Sequence, residues 1–105
     1  MDRIFSALAS QPRRKILAYL SGADLTAGEI AARFEMSKPA ISKHLQILET
    51  AGLIAGKREG QFIRYSLVRD NLINSLNGFA QEVCPVAGPL KRESRMLGKG
   101  SRSGG

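Results

Sequence analysis

The sequence predicts a mainly α-helical domain that carries one small β-hairpin. Three observations lead there. Through the first half of the chain, apolar residues recur at helical spacing behind side-chain caps at Ser10, Thr26 and Ser37. After Gly52 the period falls from 3.6 to 2 over two short runs, LIAGKR and FIRYSL. From Asp70 the helical period returns and holds as far as Val83.

Taken in order, Asp2 to Leu8 reads as a short helix with Ile4, Phe5 and Leu8 on one side. Ser10 is the candidate N-cap of the next helix, and Pro12 fits near its first turn, where a missing N–H costs nothing. QPRRKILAYL then buries Ile16, Leu17 and Leu20 until Ser21–Gly22 ends the run. Arg13, Arg14 and Lys15 bunch at its start, either as phosphate contacts or, more simply, as a solvated face. Thr26 with Glu29 three residues on is a capping box, and it opens a helix of about nine residues with Ile30, Ala31 and Phe34 inward. Glu35–Met36 connects tightly to Ser37.

Residues 37–53, SKPAISKHLQILETAGL, are the stretch around which the rest is arranged. Ser37 can cap the helix, Pro39 suits its first turn, and Gly52 supplies a left-handed end. Ile41, Leu45 and Leu48 form one apolar stripe at i, i+4 and i+7. The other face carries Lys38, Ser42, Lys43 and Gln46, which are short or basic and able to hydrogen-bond. Such a face suits a DNA major groove, although an ordinary solvated helix can look similar. Two short helices joined by a tight turn, the second polar-faced, form the helix-turn-helix arrangement.

The two β-runs flank Glu59-Gly60-Gln61, a hairpin connection of about three residues. Ile63, Tyr65 and Leu67 alternate with Phe62, Arg64 and Ser66, so one face can pack on the helices. Lys57, Arg58 and Arg64 make the hairpin basic, as expected of a wing that lies on the phosphate backbone or reaches the minor groove. DNLINSLNGFAQEV closes the fold, capped by Asp70 or Asn71, with Leu72, Leu76, Phe79 and Val83 on a stripe broadened by Ile73 and Ala80. That stripe is wide for a terminal helix in water. Packing against its copy in a second subunit, with the first helix joining in, would bury it; packing on its own domain is the alternative.

A net charge of +7 in 105 residues favours a polyanionic partner, either nucleic acid or an anionic membrane surface. No run approaches the ~18 apolar residues of a spanning helix, and no signal-peptide core opens the chain. One cysteine excludes an internal disulfide framework and fits a reducing, cytoplasmic setting. Residues 1–83 are expected to form the folded domain. Residues 84–105 hold five Lys/Arg against one Glu among Gly, Ser and Pro, and read as a disordered basic tail. A domain near 83 residues has a modest core, so a dimer interface would help it.

Residues 3–83 resemble the arsenical-repressor-type (ArsR/SmtB) family of bacterial winged-helix regulators. The resemblance is carried by FSALASQPRRKIL, LTAGEIAARFEMSKPAISKHLQILETAGLI and KREGQFIRYSL, and it is strongest toward the SdpR-like branch. It implies a dimeric winged helix-turn-helix, a homodimer joined by its first and last helices. Ile4, Phe5, Leu8, Leu72, Ile73, Leu76, Phe79, Ala80 and Val83 are then the candidate interface residues. It also implies repression from an imperfect palindromic operator in double-stranded DNA. Recognition contacts would fall to Lys38, Pro39, Ala40, Ser42 and Lys43, with Gln46 added from helical geometry. Wing contacts would fall to Lys57, Arg58 and Arg64, and Thr26 could offer its hydroxyl and nearby amides to a phosphate.

The chain departs from metal-sensing members of that family. No cysteine lies between Glu29 and Phe34, and between Asn71 and Val83 there is no histidine and one acid, Glu82. A tetrahedral zinc site needs four N, S or O ligands, so metal sensing and any cofactor are not expected. His44 sits in the recognition helix as a packing or DNA-proximal residue. Cys84 is expected to be an inert thiol, with an inter-subunit redox switch as the alternative. No Gly-rich phosphate loop or catalytic grouping points to an enzyme. Two other readings stay open: DNA binding loosened by a small molecule or partner protein, and a non-regulatory chromatin or membrane-surface binder using the basic tail.

Overall fold

The computed structural model describes residues 2–84. The chain runs α1 (Asp2–Leu8), α2 (Gln11–Gly22), β1 (Leu25–Thr26), α3 (Ala27–Ala31), α4 (Lys38–Thr50), β2 (Ile54–Glu59), β3 (Phe62–Leu67) and α5 (Arg69–Val83). Of the expected tail, residues 84–105, all but Cys84 lies outside the described residues. The fold divides within α5: among the described residues, those up to Ile73 form one compact unit and those from Asn74 belong to the other.

Local chemistry starts the helices where the sequence expects. Ser10 Oγ accepts from the Arg13 amide, Thr26 Oγ1 from the Glu29 amide, and Ser37 Oγ from the Ala40 amide at 3.2 Å. Each satisfies a donor that the first helical turn leaves without a partner. The apolar stripes then meet. Ile4 and Ala7 of α1, Ile16, Leu17 and Leu20 of α2, Ile30 of α3 and Ile41, Leu45 and Leu48 of α4 share one core. Leu25, Ala51, Leu53, Ile54 and Tyr65 complete it, and among the described residues no charged or polar side chain other than the Tyr65 phenol is buried.

Two elements differ from the sequence expectation. α3 has five residues rather than about nine. The Arg33 and Phe34 amides bond the carbonyls three residues back, at 3.0 and 3.1 Å, and this tightening ends the helix. Phe34 meets Tyr19 of α2 edge-on at 5.8 Å, and the Arg33 guanidinium lies 5.5 Å from the same ring. The second difference is β1, a two-residue strand. Leu25 pairs with Tyr65 and Thr26 with Arg64, making an antiparallel sheet of order β1-β3-β2. The hairpin loop is also shorter than the expected Glu59-Gly60-Gln61: it has two residues, Gly60 and Gln61, because Glu59 pairs directly with Phe62. Gly60 at φ +65° suits the tight primed turns that match strand twist.

α4 ends in a Schellman arrangement. The Gly52 amide bonds the Glu49 carbonyl at 2.9 Å, and the Leu53 amide bonds the Leu48 carbonyl at 3.0 Å. Gly52 holds φ +78°, and its carbonyl accepts from Asn71 Nδ2 at 2.7 Å. Asn71 therefore lies inside α5 and fastens it to this turn rather than capping it; the Val68 carbonyl accepts the Leu72 amide there. A Cβ on Gly52 would sit 2.7 Å from that same Nδ2. Gly52→Ala is therefore expected to destabilise the protein by about 1–3 kcal/mol, lowering the thermal midpoint by several degrees. Gly60→Ala carries the φ strain without any clash and should lose less. Equal losses would show that the Asn71 contact is irrelevant.

Candidate nucleic-acid interface

The buried stripe of α4 decides what its other face can present. Ile41, Leu45 and Leu48 turn inward, which leaves Lys38, Pro39, Ser42, Lys43 and Gln46 exposed together. Ala40 is half-buried, and its amide is held by the Ser37 cap. Grooves flank this face on both sides. Lys38 and Ser42 border a small one of about 180 Å³ against Ala27, Gly28 and Ala31 of α3. Lys43 and Gln46 border a wider cleft of about 450 Å³ against Asp2, Arg3 and Ser6 of α1, floored by Ile47 and Ala51. Asp2 and Arg3 thereby lie beside Lys43 and Gln46, a placement sequence reading missed because it depends on how α1 packs.

The wing carries its cations on two faces. Direct cross-strand partners share a face, so Lys57 lies with Arg64, while Arg58 lies with Ile63. Arg58 braces the tip through a 3.3 Å bond to the Gly60 carbonyl, and Lys57 is exposed. Phe62 at the tip is 64% exposed. Arg64 is engaged within the protein. Its Nε donates to Glu59 Oε1 at 2.9 Å, and its Nη1 lies 3.9 Å from Glu29 Oε1 and 3.5 Å from the Asp24 carbonyl. The bond to Glu59 raises its already high pKa, so it stays charged as the counter-ion of the wing base.

Thr26 is taken up by its capping box. Its hydroxyl accepts the Glu29 amide at 3.1 Å, and its own amide donates to Glu29 Oε1 at 2.8 Å. That backbone hydrogen bond is the main reason the Glu29 carboxyl titrates below the usual carboxylate range. A phosphate arriving at Thr26 would meet a carboxylate already in place. Arg13 and Arg14 also find protein partners. Arg13 donates to the Ala7 and Ser6 carbonyls at 2.8 and 3.1 Å, and Arg14 to the Leu8 carbonyl at 2.7 Å. Arg13, half-buried, and Arg14, exposed, thus bond the last carbonyls of α1, and Arg14 and Lys15 stay on a solvated face.

The residues assigned to a dimer seam fall into two groups. Ile4 is buried in the core of its own subunit, and Leu8 and Leu72 pack against that core. Phe5 is half-buried. Ile73 is 53% exposed, Leu76 41%, Phe79 44% and Val83 59%, and Ala80 is exposed beside them. Cys84 follows, exposed and outside any disulfide among the described residues. Among the described residues no three His, Cys, Asp or Glu side chains gather to hold a metal, and no helix is long and apolar enough to cross a membrane.

A short helix, a tight turn, a seated helix with a polar cationic face and a basic antiparallel hairpin beside it define a winged helix-turn-helix domain. Residues 10–55 match the family described as "Bacterial regulatory protein, arsR family". Over 77 residues the chain is 51% identical to the transcriptional repressor SdpR of Bacillus subtilis (strain 168), an alignment covering 73% of this chain and 86% of the relative. The chain belongs to the ArsR family. Among solved structures it is similar to an ArsR family transcriptional regulator, RHA00566, with a TM-score of 0.72 and 30% identity over 77% of this chain and 89% of that one. It is also similar to the homodimeric winged helix-turn-helix DNA-binding domain of Mb0332 from Mycobacterium bovis, a possible ArsR-family regulator. There the TM-score is 0.64 at 28% identity, over 82% of this chain and 79% of the other. All three names describe regulators of transcription, and none describes an enzyme.

Proposed function

We propose that this protein is a transcriptional repressor that binds a pseudo-palindromic operator as a homodimer and does not use metal as its signal. The observation that carries the reading is the face of α4, where three buried residues fix the helix and Lys38, Ser42, Lys43 and Gln46 stand exposed together. Repression is carried over from SdpR, and the two-fold assembly from the homodimeric Mycobacterium domain. Two α4 helices would enter successive major grooves about 34 Å apart. Side chains on α4 select bases. Lys57 and Arg58 meet phosphates, and Arg64 holds the wing against α3. Neutralised phosphates supply much of the affinity in a chain of net charge +7.

Selection of bound duplexes from a random library tests this reading. It should enrich two inverted half-sites with centres about 10–11 base pairs apart. Enrichment of a single half-site, or of none, contradicts it. With that duplex in hand, Lys43→Ala should weaken operator binding by about 1–3 kcal/mol while changing random-duplex binding little. Arg58→Ala should weaken both alike and reduce the salt slope by about one unit. Fluorescence anisotropy at several salt concentrations reads both effects. Equal losses on operator and random DNA for the two variants would overturn the division between helix and wing.

A further inference from the structure

His44 lies on α4 between the exposed Lys43 and the buried Leu45, and its ring is half-buried. Its Nδ1 is 3.2 Å from Arg13 Nη1. A guanidinium only donates, so Nδ1 is the acceptor and the ring proton resides on Nε2. The same guanidinium donates to the Ala7 and Ser6 carbonyls. One side chain on α2 thus holds the end of α1 and the middle of α4 together.

We propose that Arg13 and His44 are positioning residues for DNA reading: their hydrogen bond fixes the roll of α4, and protonation of His44 releases it. This rests on the reading of α4 as the helix that contacts DNA. Ile41, Leu45 and Leu48 set the depth of α4 and which face turns outward, but apolar contact is non-directional and leaves a small roll about the helix axis open. The Arg13 bond is directional and acts one residue from Lys43 and two from Gln46. A small roll at His44 therefore displaces the base-reading side chains sideways.

The surroundings keep the bond on near neutral pH. Burial, then the charge on Arg13, hold the imidazole below its ordinary value of about 6.5. The charged neighbours are Arg13 from α2 and Lys43 on α4 itself, while α1 contributes the two carbonyls. Asp2 and Arg3 of α1 line the cleft at Lys43 and Gln46. Once protonated, Nδ1 becomes a donor facing a cation, and the bond cannot form. The sign follows. A depressed histidine pKa leaves the contact intact above about pH 6.5 and loses it as pH falls through the folded-state value.

The test uses the full chain, the duplex enriched by selection and a random duplex, with anisotropy from pH 5.5 to 8 at constant ionic strength. The wild-type ratio of specific to random affinity should fall about tenfold toward the acid end. His44→Asn keeps an acceptor near Nδ1 without titrating, and should hold the neutral-pH ratio throughout. His44→Leu should show the reduced ratio at every pH with an unchanged helical circular-dichroism spectrum. Arg13→Lys, which cannot span the same three acceptors, should resemble His44→Leu. A His44→Asn profile that falls like wild type, or a His44→Leu ratio equal to wild type at pH 7.5, overturns the proposal and leaves DNA reading untouched. A wild-type chain that enriches no duplex overturns both.

Discussion

Leu48→Ala is expected to lower the free energy of unfolding by about 2–5 kcal/mol. Leu48 is fully buried, and its carbonyl receives the Leu53 amide that closes α4. Truncation leaves a cavity under the helix where α2, α4 and the sheet converge. That convergence cannot collapse easily, because Leu53 and Ile54 beside it are fixed by the Gly52 turn and by the Ile54–Leu67 pairing. Domains of this size have roughly 5–15 kcal/mol in total, so the loss is a large fraction. Urea unfolding at fixed protein concentration should show an earlier midpoint at an unchanged slope. Lys43→Ala, exposed on the opposite face, should leave the midpoint within about 0.5 kcal/mol. A Leu48→Ala loss under 1 kcal/mol would mean that α4 is not seated by its apolar stripe, and the argument for its exposed face would fail with it.

What the sequence made legible was what short-range chemistry determines. Ser10, Thr26 and Ser37 could be read as caps because each hydroxyl answers an amide three residues away. Gly52 could be read as a helix end because its left-handed φ disfavours other residues. The apolar stripe of α4 likewise specified its exposed face. What escaped depends on partners far along the chain. β1 exists only because Leu25 and Thr26 meet Tyr65 and Arg64 some forty residues on. Arg13, Arg14 and Arg64 read as free cations, yet each side chain finds a carbonyl, a ring nitrogen or a carboxylate that only folding brings near. Ile4 and Leu72 have the right spacing for a seam between subunits, but periodicity cannot tell burial within one subunit from burial between two.

That ambiguity makes the last helix the sharpest place to test assembly. Leu76→Glu is expected to convert the proposed homodimer to monomers and to weaken operator binding on the order of a hundredfold. Leu76 is 41% exposed, on the α5 stripe that also carries Phe79 and Val83. A carboxylate there loses its hydration in an apolar seam without gaining a partner, and two copies would bring two such charges together. The effect on DNA follows from linkage. In a dimer, binding of one half-site holds the second reading helix at high effective concentration, an advantage of about 10²–10⁴ that a monomer forfeits. Random-duplex affinity should fall far less, since the cations of each domain are unchanged. Asn74→Glu supplies the control: it adds the same charge on the same helix, on the side away from the stripe, and should leave both mass and binding close to wild type. Sedimentation velocity and anisotropy on one preparation read the two quantities together. Monomers of Leu76→Glu that still bind the operator at full strength would show that each domain reads its half-site alone, and the two-fold operator would have to be abandoned.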